Sequence, residues 1–147
     1  MLGGDALVCT ADESIENRVA ALTENRGVPF ALDAMGGAVG MAVVRALAPG
    51  GRMLVYGILS GEPVPLDGLA LIVGQKAVEG FLLSDWARRQ SPLPMLLLFR
   101  RISRLLRKGV LATEVGASHP LEQIQEAVRH AEAPGRRGKV LLRISSA

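Results

Sequence analysis

The sequence predicts an α/β protein built on a parallel sheet flanked by helices. Three observations carry this expectation. Short, largely apolar runs recur at Phe30–Ala34, Met53–Tyr56 and Ala77–Leu82, as in strands buried on both faces. Segments with helical spacing separate them, which is the alternation of a parallel sheet with crossover helices. Gly and Pro cluster at the junctions, where the chain must turn.

The elements follow in order. Ala6–Cys9 is a short apolar run after the Gly3-Gly4 turn signal and reads as a strand. Thr10 and Glu13 have capping-box spacing, and Ile15, Val19 and Leu22 form the helix face behind them, closed by Gly27. Phe30–Ala34 is the second strand, with Pro29 at its start. Gly36-Gly37 turns the chain into a helix whose face is Met41, Val44 and Leu47, stopped by Pro49-Gly50-Gly51. Met53–Tyr56 is the third strand. A Gly- and Pro-rich loop runs from Gly57 to Gly68, then a short helix at Leu69–Val73 and a fourth strand at Ala77–Leu82.

The plainest helix comes next. Ser91 is a capping residue and Pro92 suits a first turn. Leu96, Phe99, Ile102 and Leu106 line one face, with Arg100, Arg101, Arg104 and Arg107 largely away from it and Gly109 at the end. A short strand at Glu114–Ser118, a helix opened by Pro120 and carrying Leu121, Ile124 and Val128, a loop at 134–138 and a closing strand at Val140–Ile144 complete the chain.

Bulk properties narrow the function classes. The 147 residues are 49% hydrophobic and 21% charged, which suits a packed domain and argues against disorder. The net charge of +3 is too small an excess to suggest a nucleic-acid partner. Cys9 is the only cysteine, so no internal disulfide forms and a reducing, cytoplasmic setting is expected. Met95–Phe99 typifies the strictly apolar stretches, which are far too short to span a bilayer, and the N-terminus has neither the basic flank nor the apolar core of a signal peptide. A globular protein with no membrane partner is expected.

Four segments in order, Phe30-Ala-Leu-Asp-Ala-Met-Gly-Gly37, Leu47-Ala-Pro-Gly-Gly-Arg-Met-Leu-Val-Tyr-Gly57, Gly80-Phe-Leu-Leu-Ser-Asp-Trp86 and Gly138-Lys-Val-Leu-Leu142, resemble the medium-chain dehydrogenase/reductase superfamily. The nearest branch holds quinone oxidoreductases and trans-2-enoyl-thioester reductases. The resemblance implies a partial Rossmann-like domain over residues 1–112, lacking its first two strands, and a segment over 113–147 that returns to a GroES-like catalytic domain. It implies zinc-independent hydride transfer from NADPH or NADH to a small-molecule substrate, an enoyl thioester, a quinone or a related activated double bond or carbonyl. The implied cofactor contacts are Tyr56, Gly57, Ile58, Leu59, Phe81, Leu82, Leu83 and Lys139. A homodimer through the edge strand 77–82 is implied as well, which leaves a non-catalytic assembly module as the alternative function.

One motif is missing. Dinucleotide-binding sheets open with a strand and a G-x-G-x-x-G turn that places the pyrophosphate on a helix N-terminus. No such spacing occurs here; Gly36-Gly37-Ala38-Val39-Gly40 is the nearest cluster. The resemblance implies that the chain starts near the end of the helix before the parent sheet's third strand. Ala6–Cys9 would then lack a neighbour on its inner edge, and weak or absent cofactor binding by this chain alone is expected. No residue presents itself as a catalytic group or metal ligand.

The remaining polar residues have plain readings. Asp33, at a strand end, is read as a turn former before a ribose acceptor. Tyr56 is either structural or a cofactor contact, and Lys139 is read first as a solvated lysine at a strand start. The indole of Trp86 is read as packing, with Asp85-Trp86 bordering a site as the sharper alternative. His119 and His130 are read as surface or capping residues, Cys9 as a buried thiol, and Arg88, Arg89 and the helix arginines as a solvated face before an anion site.

Overall fold

The computed structural model describes residues 4–133 and 135–144, so Gly3 of the first turn signal and Pro134 of the last loop lie outside the described residues. The chain forms two compact units, Met1–Ser91 and Pro92–Ala147. These units of packing divide elsewhere than at 112/113, since the helix beginning at Pro92 falls with the second unit.

The first unit opens with helix α1, Ile15–Leu22. Ser14, not Thr10, is its N-cap, accepting from the Asn17 backbone N–H. Glu13 instead accepts from the Cys9 backbone N–H at 3.3 Å. Strand β1 is Val28–Asp33, helix α2 Gly37–Ala46, strand β2 Leu47–Val55, helix α3 Gly68–Gly74 and strand β3 Ala77–Gly80. A short helix α4, Leu83–Arg88, follows. The three strands form one parallel sheet in the order β1-β2-β3, as expected for consecutive strands joined by crossover helices.

Three expectations need correction. Ala6–Cys9 is not a strand: it joins no ladder, and an extended apolar run without a hydrogen-bonding neighbour has nothing to hold it as sheet. Cys9 is accordingly exposed instead of buried. Leu47 is not the last residue of α2 but the first of β2, and Pro49-Gly50-Gly51 does not interrupt the strand. The ladder pairs Val28 with Leu47 and then Phe30 with Arg52, so the Pro-Gly-Gly residues are taken up as a bulge.

The core lies on one face of the sheet. Met53 and Val44 are wholly buried and Met41 and Leu47 nearly so, with Val64, Ala70, Leu71 and Val78 packed around them. Burying a side chain of this size contributes about 2–3 kcal/mol. Register puts Ala31, Met53 and Val78 on this face, beneath α2 and α3. Phe30 and Leu32 belong to the opposite face and are exposed, at 74% and 73%. Within this unit the sheet is therefore covered on one side, not on both.

The second unit contains helix α5, Pro92–Arg107, with its basic residues exposed as the sequence suggests. Strand β4, Val115–Pro120, leads through a 3-10 turn at Leu121–Gln123 into helix α6, Ile124–Glu132, and back through strand β5, Lys139–Arg143. The two strands pair in parallel, and α6 packs over them with Ala127 buried. Gly116 is required at the start of this pair: a Cβ there would land on the carbonyl oxygen of Arg137.

Candidate functional site

In a parallel α/β sheet, ligands meet the carboxyl ends of the strands. The ends of β1 and β2 are built from backbone groups. Asp33 is buried, and its carboxylate accepts from the N–H groups of Met35 at 2.9 Å and Gly36 at 3.1 Å. It is the turn former that its position suggests, and it shapes the entry to α2. Tyr56 N–H donates to the Asp33 carbonyl at 2.9 Å, and Phe81 N–H to the Val55 carbonyl at 2.8 Å. The ladders thus run one residue past the strands and fix the backbones of Tyr56 and Phe81.

The loop after β2 is strapped to the turn after β1. Leu59 N–H donates to the Ala34 carbonyl, and the Ser60 hydroxyl to the Met35 carbonyl at 2.7 Å. The Glu62 carbonyl accepts from Gly37 N–H at 2.9 Å.

Between the ends of β2 and β3 opens a cleft of about 690 Å³, within the size range of small-molecule sites. Its walls are Tyr56, Gly57 and Ile58 from one strand end and Gly80, Phe81 and Leu82 from the other; Asp85, Trp86, Arg89 and Gln90 close the side formed by α4 and the residues after it. Phe81 and Trp86 meet at a tilt of 47° with ring centroids 6.3 Å apart. Asp85 is engaged by Arg88 and, at 3.3 Å, by Arg89, while the Gln90 side chain donates to the Trp86 carbonyl. The walls are mostly apolar with a few directed polar groups.

The structure brings together five of the eight residues singled out from the sequence: Tyr56, Gly57, Ile58, Phe81 and Leu82. Leu59 and Leu83 are exposed and do not line the cleft. Lys139 opens β5 in the second unit, where its backbone N–H donates to the Glu114 carbonyl at 2.7 Å. Arg89 and Gln90 were not anticipated as cleft residues. The Asp85/Arg89 spacing of four on a helical segment was the available signal. His119 and His130 also come together, their Nε2 and Nδ1 atoms 3.3 Å apart.

A parallel α/β half-sheet with a cleft at its carboxyl ends defines a nucleotide-cofactor class of fold. Residues 2–142 match the family model described as zinc-binding dehydrogenase, and the chain belongs to that family. It is 33% identical over 105 residues to the rat mitochondrial enoyl-[acyl-carrier-protein] reductase, covering 71% of this chain and 28% of that protein. It is 27% identical over 144 residues to bovine quinone oxidoreductase-like protein 2, covering 95% and 40%. Among solved structures, a Bacillus thuringiensis chain assigned as an NADPH:quinone reductase superposes with a TM-score of 0.83 at 26% identity, covering 94% of this chain and 42% of that one. An NAD-dependent alcohol dehydrogenase gives 0.76 at 28% identity, covering 97% and 39%. The chain thus spans less than half the length of these relatives.

The family's description names zinc. Among the described residues no group of three or more His, Cys, Asp or Glu side chains is placed to hold a metal ion, so the residues present do not fit a zinc centre of the usual three or four protein ligands. Among the described residues no helix is long and apolar enough to cross a membrane.

Proposed function

We propose that this chain is the later part of an NAD(P)H-dependent oxidoreductase acting on an enoyl thioester, a quinone or a related activated double bond or carbonyl. The observation that carries this reading is the cleft bounded by the carboxyl ends of β2 and β3. When bound, a reduced nicotinamide ring would supply the hydride. The chain's own residues hold and shelter that ring. Tyr56–Ile58 and Phe81–Leu82 form its apolar walls and keep water from one side. Leu59 and Leu83 are assigned to the same cofactor as outer contacts, and Lys139 to a cofactor contact of the whole protein, on family likeness alone.

Main-chain donors at a glycine turn supply much of the grip on a dinucleotide's phosphates, and this sequence contains no G-x-G-x-x-G. The polypeptide by itself is therefore expected to bind NADPH or NADH weakly and not to turn over. The segment 113–147 is assigned to the catalytic domain of the whole protein, and the setting is taken as cytoplasmic. The free edge of β3 is assigned to a homodimer, with strands pairing across a two-fold axis. Light scattering tests the dimer, and a monomer at all concentrations refutes it.

The decisive experiment is saturation-transfer NMR with NADPH and NADH at millimolar concentration. Transfer to the nicotinamide protons exceeding that to the adenine protons is expected, and substitution Leu82→Asp should abolish it. Transfer to adenine alone would refute the reading, and tight stoichiometric capture of either dinucleotide would refute the expectation of weak or absent binding.

A further inference from the structure

The second unit brings its two histidines into contact. His119 lies near the end of β4, and His130 in the last turn of α6. Eleven residues separate them in sequence, yet Nε2 of His119 and Nδ1 of His130 are 3.3 Å apart. The two ring planes are at 88° to one another, with centroids 5.6 Å apart. His130 is exposed and His119 half-buried, so solvent reaches the pair.

The geometry points to a two-imidazole site for a late first-row divalent metal ion, such as Ni²⁺ or Zn²⁺. Two nitrogens bonded to one ion at about 2.0–2.1 Å are separated by about 2.9 Å where they are cis in a square-planar or octahedral site and by about 3.3 Å in a tetrahedral one, so the 3.3 Å found here lies at the upper end of that range. The rings now face each other nearly head-on, as a hydrogen-bonded pair does. Coordination requires their lone pairs to converge instead, which brings the centroids closer than the present 5.6 Å and calls for a turn of the exposed His130 side chain. For both near nitrogens to bind the ion, the proton of their hydrogen bond passes through solvent to the far nitrogen of the same ring, and water completes the ion's coordination.

Three features favour a built site over chance proximity. The nitrogens come from two different elements, and the β4–β5 ladder and the packing of α6 fix both backbones. A ligand pair held in place by the fold loses little entropy on binding. The pair is also among the ligand types that late first-row ions prefer. Bound metal ties β4 to the end of α6 and so stabilises the second unit by mass action.

The test is calorimetric titration of the chelator-treated full chain with Ni²⁺ in a non-coordinating buffer. Nickel is chosen over copper because the exposed Cys9 thiol reduces Cu²⁺. One ion per chain and a rise in melting temperature are expected. His119→Asn and His130→Asn should each weaken binding by at least about tenfold, with far-UV circular dichroism unchanged. Should either variant lose its fold, Ni²⁺-dependent broadening of the two imidazole resonances in the unsubstituted chain gives the answer. No saturable binding, binding retained in both variants, or broadening centred on other residues would overturn the site. None of these outcomes depends on the nicotinamide cleft, which lies in the other unit.

Discussion

Lys76 Nζ donates a hydrogen bond to the carbonyl oxygen of Val44, 2.9 Å away and thirty-two residues earlier in the chain. A second, also of 2.9 Å, goes to the Arg45 carbonyl. A cation thus caps the C-terminal turn of α2, where unpaired carbonyls and the negative end of the helix dipole lie. Replacing Lys76 with Met keeps the apolar stem and removes the cap. Urea denaturation should show a loss of about 1–2 kcal/mol. Burial pushes the Lys76 ammonium below the ordinary lysine range. The unfolded chain then holds this proton to higher pH than the folded one. Stability should rise with pH between the lowered native value and the ordinary lysine value, and Lys76→Met should flatten that rise.

Asp33 supports the strand end through the N–H groups of Met35 and Gly36. Asp33→Ala leaves two backbone donors without partners in a buried turn. The expected loss is about 2–4 kcal/mol, since hydrogen bonds to a charged acceptor count for more than neutral ones. Equilibrium unfolding measures it. A loss under about half a kcal/mol would mean that water replaces the carboxylate without penalty.

Gly40 sets two effects of opposite sign against each other. In the middle of α2, Ala is favoured over Gly by about 1 kcal/mol. A Cβ at this position, however, would stand 2.9 Å from Asp33 Oδ2 and 2.9 Å from Val64 Cγ2. Neither neighbour is free to retreat: the carboxylate is hydrogen-bonded and Val64 packs on the core. Overpacking of this kind costs about 1–3 kcal/mol, so Gly40→Ala should destabilise on balance. A melting temperature above that of the parent chain would show that Val64 yields.

Much of the sheet was legible because its strands are long apolar runs bounded by turn residues. Phe30–Ala34 and Met53–Tyr56 fall within β1 and β2 or one residue beyond them. The five cleft residues named from the sequence stood at two strand ends, where fold geometry puts ligands. Ala6–Cys9 misled because an apolar run encodes the capacity to pair, not the presence of a partner. Leu47 misled because a residue buried at a helix–strand junction fits either period. The His119–His130 contact could not be read at all. It depends on how α6 lies over the β4–β5 pair, and neither residue's local pattern carries that information.

Glu16 offers an acid-side counterpart to Lys76. Ser14 Oγ donates to Glu16 Oε2 at 2.7 Å, just inside the first turn of α1, and Arg45 Nη1 of α2 stands 3.9 Å from the other oxygen. The Ser14 hydroxyl is the main cause that holds the Glu16 carboxyl below the ordinary glutamate range, followed by the Glu16 backbone N–H; burial opposes them, and Arg45 adds the smallest contribution. A lowered acid gives stability that is fully present above the unfolded value and is lost as pH falls through the folded one. The wild-type chain should therefore lose stability through this group as pH falls below the ordinary glutamate value and through the lowered native one, and Glu16→Gln should lose less over the same interval. The difference should stay under about 1 kcal/mol, because a partly exposed carboxylate is screened by solvent. Carbon-13 titration of the Glu16 carboxyl separates the causes: Ser14→Ala should move its midpoint up further than Arg45→Met does. A larger effect from the arginine would mean that the link between α1 and α2, and not the cap, holds the proton off.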